Sequence, residues 1–124
     1  MRRVAIRKLG DMNIPNRSVH PAPLTLFTAI RESARLRHYS LRTEKTYIGW
    51  VRRYLRFCNG RHPRSLGANE ITTFLTHLAV DLKVSVSSQN QALQALLFLY
   101  REVLQIELPR LEGIVRASKP RHLP

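Results

Sequence analysis

Apolar residues recur with helical spacing in four successive stretches between residues 24 and 108. In the first predicted helix, over about residues 25–38, Phe27, Ile30 and Ala34 share one face. None of the four stretches shows the period-two alternation of a half-buried strand. The short loops between them favour helices that pack against their neighbours. The pattern therefore predicts an all-α fold, a compact bundle of four to five helices.

The second predicted helix shows the clearest apolar stripe. Ser40 suits the N-cap, and Asn59 and Gly60 suit the left-handed end of a helix. The stripe falls at i, i+1, i+4, i+7, i+8 and i+11 and consists of Tyr47, Ile48, Val51, Tyr54, Leu55 and Cys58.

The third and fourth predicted helices carry stripes of the same kind. The third runs from about residue 68 to 81 and is expected to bury Ile71, Phe74, Leu75, Leu78, Ala79 and Leu82. The fourth runs from about residue 86 to 105 after a cap at Ser85, and is expected to bury Ala92, Leu93, Leu96, Leu97, Tyr100, Val103 and Leu104.

Both ends of the chain lack this periodicity. Residues 1–23 contain five basic residues, one acidic residue and three prolines, which indicates a flexible basic arm. Residues 109–124 are basic and interrupted by prolines, which indicates a linker toward a further domain. The folded domain is accordingly assigned to residues 24–108.

Charge points to the class of partner. The chain of 124 residues has 21 Lys and Arg against 8 Asp and Glu, a formal net charge of +13. Such an excess favours a polyanion, with nucleic acid first and an anionic membrane surface second. No apolar run approaches the roughly 18–20 residues of a membrane span, and the N-terminus lacks a secretory pattern. We expect neither secretion nor membrane insertion.

Cysteine and histidine usage argues against disulfide and metal chemistry. The single Cys58 lies in an apolar stripe and is expected to be a core residue of a protein in a reducing cytosol. The five His residues show no i,i+4 pair and no Cys or carboxylate partners at ligand spacing, so no metal site and no cofactor is expected. The sequence also shows no acid/base pair, no Ser or Cys nucleophile with a His partner, and no phosphate-binding Gly loop.

The outer face of the second predicted helix is a candidate phosphate-binding surface. On a helical wheel, five cations gather opposite the apolar stripe, with Glu44 as the acid at their edge: Arg42, Lys45, Arg52, Arg53 and Arg56. Gly49 lies among them, where Ala would favour the helix by roughly 1 kcal/mol, and its missing side chain would permit close approach to a groove or phosphate. The alternative is an ordinary solvated face. Trp50 and Phe57 flank it, and we favour an extension of the core over base stacking for both.

The polar face of the fourth predicted helix is a candidate for base recognition. It carries Ser87, Asn90, Gln91, Gln94 and Arg101, and amides can donate and accept at base edges. The SVSS turn at the start of this helix would offer free N–H groups to a phosphate. Ordinary polar surface is the alternative. Phe98 lies on the same face and is expected to contact a neighbouring segment, the linker or a partner.

The run YSLRTEKTYIGWVRRYLRFCNGRHP, residues 39–63, resembles the opening helix of the core-binding domain of tyrosine recombinases. The family has a Ser, a Thr and a Tyr along this helix, matched by Ser40, Thr43 and Tyr47. Residues 66–104, with the segment ALQALLFLYREVL, and the basic linker ending in Leu-Pro are similar to integron integrases in particular. The resemblance covers about residues 24–124.

The resemblance implies an N-terminal SAM-like domain that clamps DNA together with a C-terminal catalytic domain. The family's catalytic Arg, Lys, His-type and Tyr residues belong to that second domain, so no catalytic residue is expected here. Tyr39, Tyr47, Tyr54 and Tyr100 are not expected to act as the nucleophile. The implied partners are integron recombination sites, duplex or folded single strands, with homo-oligomers on DNA only when the catalytic domain is present. The implied place of action is the bacterial cytoplasm, at the nucleoid.

The sequence leaves two alternatives to this function open. The first is a stand-alone DNA-binding accessory or regulatory protein that occupies sites without cutting them. The second, from a different class, is a basic helical interaction module that binds RNA or a membrane surface.

Overall fold

The computed structural model describes residues 23–118, with side chains from residue 25 onward. Four α-helices form the domain: α1 (Pro23–Leu36), α2 (Leu41–Phe57), α3 (Ala68–Val80) and α4 (Val86–Leu97). A 3-10 turn, Pro63–Ser65, precedes α3, and a π-helical segment, Phe98–Val103, continues α4. No strand occurs among these residues, so the expected all-α bundle is confirmed. The predicted arm lies outside the described residues apart from Pro23, as does the end of the predicted linker, residues 119–124.

Local sequence signals set the helix boundaries. The Ser40 and Ser85 side chains accept hydrogen bonds from the amides of Thr43 and Ser88, both at 3.0 Å, which confirms the two predicted caps. Asn59 and Gly60 both have positive φ, 61° and 75°, and end α2 as expected. The first helix lies about two residues earlier than predicted, because His38 already has a φ of 60°.

The core is one apolar cluster to which all four α-helices contribute. Its fully enclosed residues include Ile30 from α1, Tyr54 from α2, Leu75 from α3 and Leu96 from α4. Helix α4 lies centrally, because it contacts both α2 and α3 and its π-helical continuation contacts α1. Much of the predicted stripe of each helix is buried here or packs against the cluster. The predicted core position Leu82 is wrong: it is 49% exposed, because α3 ends at Val80 and the chain turns away.

The end of the fourth helix has two features that the sequence did not predict, a π-helical turn and a buried Phe98 at its start. The amide of Leu104 bonds to the Leu99 carbonyl at 2.9 Å, five residues back, so this turn holds more residues than an α-helical turn. Phe98 falls on the polar face of an ideal α-helix but is 5% exposed in the fold. It packs against Tyr39 and Tyr47 with ring centroids 5.5 and 5.4 Å apart. Its partner is therefore a neighbouring segment, the junction of α1 and α2.

The segment after the π-helical turn has no regular structure, yet it lies on the bundle. Leu108, Leu111 and Ile114 pack against the core as partly buried side chains. Farther along the predicted linker, the backbone of Val115 and Ala117 bonds to Gln89 of α4 and to Thr76 of α3. The proposed division of the chain at residue 109 remains a prediction.

Candidate nucleic-acid interface

The five predicted cations of α2 are all exposed on the outer face of that helix: Arg42, Lys45, Arg52, Arg53 and Arg56. The Arg52 guanidinium lies 4.8 Å from the centroid of the Phe27 ring, and that of Arg53 lies 4.4 Å from the Trp50 ring. These contacts hold the two guanidinium groups near the helix surface while leaving their charges accessible. Trp50 itself is buried, as expected for a core residue.

The acid beside this face does not neutralise it. The Glu44 side chain is only 5% exposed and turns toward α1, where its oxygens lie 3.9 Å from Arg31 Nε and 3.5 Å from Arg35 Nε. None of the ion pairs among the described residues includes a cation of the α2 face. The positive charge of that face is therefore available to an external anion.

A groove of about 640 Å³ runs between α2 and α4. Five of the predicted binding residues line it together: Arg42, Ser87, Asn90, Gln91 and Gln94. Residues that the sequence interpretation did not assign to the site complete the lining: Thr43, Thr46, Tyr47 and Val86. The groove thus places one cation opposite a row of hydroxyl and amide groups. The other four cations of α2 are not part of its lining.

Several of these polar groups already have partners within the fold. The Gln91 Oε1 accepts from Trp50 Nε1 at 3.5 Å, which links the wall of the groove to the core. The Asn90 Oδ1 accepts from the Arg116 guanidinium at 2.6 Å. At the start of α4, the Ser88 amide is taken by the Ser85 cap, so fewer N–H groups of that turn are available to a phosphate than predicted.

Gly49 lies on the same face of α2. A Cβ placed there would meet nothing within 4 Å, so the fold itself does not require glycine at this position.

Gln89 and Arg116 are two polar residues that the sequence interpretation missed. Gln89 is 1% exposed and binds backbone groups of α3 and of residues 115–117. Its position between Ser85 and Ala92 on the buried stripe was the available signal, because a buried amide needs several partners. Arg116 had no such signal, since nothing in its local sequence places it beside Asn90.

Two of the tyrosines are enclosed in the core and bonded to each other. The Tyr100 hydroxyl donates to the Pro63 carbonyl at 2.8 Å, so the Tyr54 hydroxyl donates to Tyr100 at 3.0 Å. Burial raises the pKa of Tyr100 to about 12, and burial together with the bond to Tyr100 raises the pKa of Tyr54. Burial likewise raises the pKa of the Cys58 thiol. These three groups are protonated and inaccessible near neutral pH.

Two features are absent from the residues that the structure describes. No helix there is long and apolar enough to cross a bilayer. The same residues contain no group of three or more His, Cys, Asp or Glu side chains arranged to hold a metal ion. The expectation that no His has a carboxylate partner at ligand spacing is wrong for His77, whose Nδ1 lies 2.8 Å from Asp81 Oδ2.

A small helical bundle with a cationic helix and a polar groove is the class of domain that the geometry defines. Residues 26–110 match the family described as phage integrase, N-terminal SAM-like domain, and the chain belongs to that family. This covers most of the chain, and the resemblance to the tyrosine recombinase family is confirmed at this level.

Relatives of known name agree with this assignment. The chain is 52% identical over 95 residues to an integrase/recombinase of Escherichia coli and, equally, to one of Pseudomonas aeruginosa. It is 30% identical over 93 residues to a putative integrase/recombinase of Sinorhizobium fredii. These alignments cover 77%, 77% and 75% of the chain but only 28%, 28% and 30% of the relatives. The chain therefore corresponds to less than a third of each relative.

Proposed function

We propose that the chain is the DNA-binding N-terminal domain of a tyrosine-type site-specific recombinase of the integron integrase kind. The observation that carries this proposal is the groove between α2 and α4, where Arg42 faces Ser87, Asn90, Gln91 and Gln94. DNA-binding surfaces combine cations that bind phosphates with polar side chains, such as amides, that form hydrogen bonds to base edges. Family membership and the net charge of +13 support the same partner.

In this proposal the domain contributes binding and a catalytic domain contributes the chemistry. The sites bound are integron recombination sites, as duplex or as folded single strands, in DNA integration and the recombination of gene cassettes. Subunits associate on DNA only when the catalytic domain is present. The place of action is the bacterial cytoplasm, at the nucleoid.

The α2 face is tested through the salt dependence of binding. Each phosphate neutralised on duplex DNA contributes about −0.9 to the slope of log K against log salt. The double substitution Arg52→Ala and Arg53→Ala should flatten this slope by about two and weaken binding to all sequences alike. Fluorescence anisotropy with a labelled duplex measures it.

The matched control removes two charges outside α2 and α4. Arg61→Ala with Arg110→Ala lowers the net charge equally and should leave the slope nearly unchanged. A folded Arg52/Arg53 variant that bound DNA with unchanged affinity and salt slope would contradict the assignment of the α2 face as a phosphate-binding surface. Stronger binding of the unmodified chain to RNA than to duplex or hairpin DNA would favour an RNA-binding module instead.

The α4 face is tested through sequence preference. Gln91→Ala or Gln94→Ala should change discrimination at one base position by about 1–3 kcal/mol, with little change in the salt slope. Binding selection from a randomised duplex pool, for each variant and for the unmodified chain, compares the preferences. Identical preferences in all three would remove these amides from base recognition.

A further inference from the structure

We propose that the buried Gln89 is a clamp that positions Arg116 at the rim of the groove as a second phosphate-binding cation. The inference rests on the proposed function. It adds a binding residue from the segment after the bundle and a positioning residue within the core.

The Gln89 side chain makes three hydrogen bonds, two of which hold residues 115–117. Its Nε2 donates to the carbonyls of Leu75 and Val115, both at 2.9 Å, and its Oε1 accepts from the Ala117 amide at 2.8 Å. The Val115 amide adds a bond to Thr76 Oγ1 at 3.1 Å. The backbone is thus fixed on both sides of Arg116, by α3 and by α4.

This path fixes where the Arg116 side chain goes. Its guanidinium reaches Asn90, the residue that follows Gln89 and lines the groove. Successive residues of α4 therefore have complementary tasks: Gln89 faces inward and holds the backbone, and Asn90 faces outward and receives the side chain. Arg116 is not itself a lining residue, but its bond to Asn90 places a cation beside the α4 wall, whereas Arg42 lines the α2 wall.

The charge of Arg116 is not neutralised by this contact. Asn90 is a neutral amide, and no ion pair among the described residues includes Arg116. Arg116 is also exposed to solvent. A guanidinium bound to a neutral acceptor keeps most of its donors and its full charge for a phosphate.

The first test compares two arginines of the same segment. Arg116→Ala should reduce the magnitude of the salt slope for a labelled duplex by about 0.9, whereas Arg110→Ala, an exposed arginine earlier in the segment, should not. If Arg116→Ala leaves the salt slope of the unmodified chain unchanged, Arg116 is not a phosphate contact and the inference is overturned. If the Arg52/Arg53 variant also has no effect, the proposed function fails as well, so the two failures are distinguishable.

The second test asks whether Gln89 acts through Arg116. Gln89 is enclosed and cannot touch DNA, so Gln89→Leu should reduce the magnitude of the salt slope only by releasing residues 115–117. The double variant Gln89→Leu and Arg116→Ala should then bind no more weakly than Gln89→Leu alone. Additive losses would overturn the clamp.

A milder variant tests the same inference if Gln89→Leu fails to fold. Thr76→Val removes one acceptor from the clamp at constant side-chain shape and should raise hydrogen exchange at the Val115 amide. It should also weaken binding in the unmodified chain but not in the Arg116→Ala background. Unchanged binding despite faster exchange would show that the path of the segment does not matter to the groove.

Discussion

The bonded pair of tyrosines in the core determines several properties of the domain. Tyr100 is both donor and acceptor: it donates to the Pro63 carbonyl and accepts from Tyr54. It therefore ties the turn before α3 to α2 and to the π-helical segment. The Tyr54 hydroxyl lies at the end of this chain of hydrogen bonds and donates to Tyr100.

The two tyrosines should differ in their contribution to stability. Tyr100→Phe leaves the Tyr54 hydroxyl without a partner in the core and leaves the Pro63 carbonyl with the Leu66 amide alone, at a cost of about 1–3 kcal/mol. Tyr54→Phe removes a hydroxyl together with its bond and should cost about 0.5–1.5 kcal/mol. Urea unfolding of the two variants measures the difference. Equal losses would contradict the assigned direction of the bonds.

The same pair should make the fold sensitive to alkali. The pKa of Tyr100 is raised to about 12 in the folded chain, whereas an unfolded tyrosine titrates near 10. A raised pKa gives stability that is complete below pH 10 and lost as the pH rises toward 12. The free energy of unfolding should fall by about 1.4 kcal/mol per pH unit for each tyrosine that stays protonated.

Urea unfolding at several pH values in this window measures that slope. Because burial also raises the pKa of Tyr54, this residue should contribute to the slope, and Tyr54→Phe should reduce it by up to about 1.4 kcal/mol per pH unit. A slope that Tyr54→Phe does not change would assign the alkaline sensitivity to other groups.

At the scale of elements, α2 has two faces with opposite requirements. Its inner face supplies Val51 and Tyr54 to the core, and its outer face carries the five cations. Glu44 belongs to the inner face and binds α1 through Arg31 and Arg35. The helix therefore packs against α1 through Glu44 while the positive charge of its outer face is not neutralised by that carboxylate.

Gly49 offers a test that separates stability from binding. Gly49→Ala should stabilise the domain by up to about 1 kcal/mol, since Ala favours the helix and a Cβ there meets no neighbour. If DNA approaches the backbone closely at this position, the same variant should bind less tightly. Thermal unfolding and anisotropy on one preparation give both values. Higher stability with unchanged affinity would show that the glycine has no role in binding.

For the whole molecule, binding and chemistry are expected to be separate. The family's nucleophile and the charged groups that stabilise its transition state belong to a domain that the resemblance places outside this chain. The buried Tyr54 and Tyr100 do not substitute for it. We predict that the chain alone binds a nicked suicide substrate but forms no covalent adduct. A phosphotyrosyl adduct detected on a denaturing gel would contradict the assignment.

The sequence by itself determined the fold class and most of the helix boundaries. Those features depend on interactions between residues close in the chain: apolar side chains three and four residues apart, serine caps at Ser40 and Ser85, and the left-handed turn at Asn59 and Gly60. The exposed cations of α2 were predictable for the same reason, since one helical period places them on one face.

Only the tertiary structure decided which of these residues share a site. The groove joins Arg42 to an amide row about fifty residues later in the chain, and the pairing of α2 with α4 that does so is not encoded in any local period. Phe98, which an ideal helical wheel had placed on the polar face, is buried because Tyr39 and Tyr47 pack against it. The partners of Gln89 and the place of Arg116 likewise follow from long-range packing. The sequence indicates that a buried amide such as Gln89 needs hydrogen-bond partners, but only the folded chain shows which residues they are.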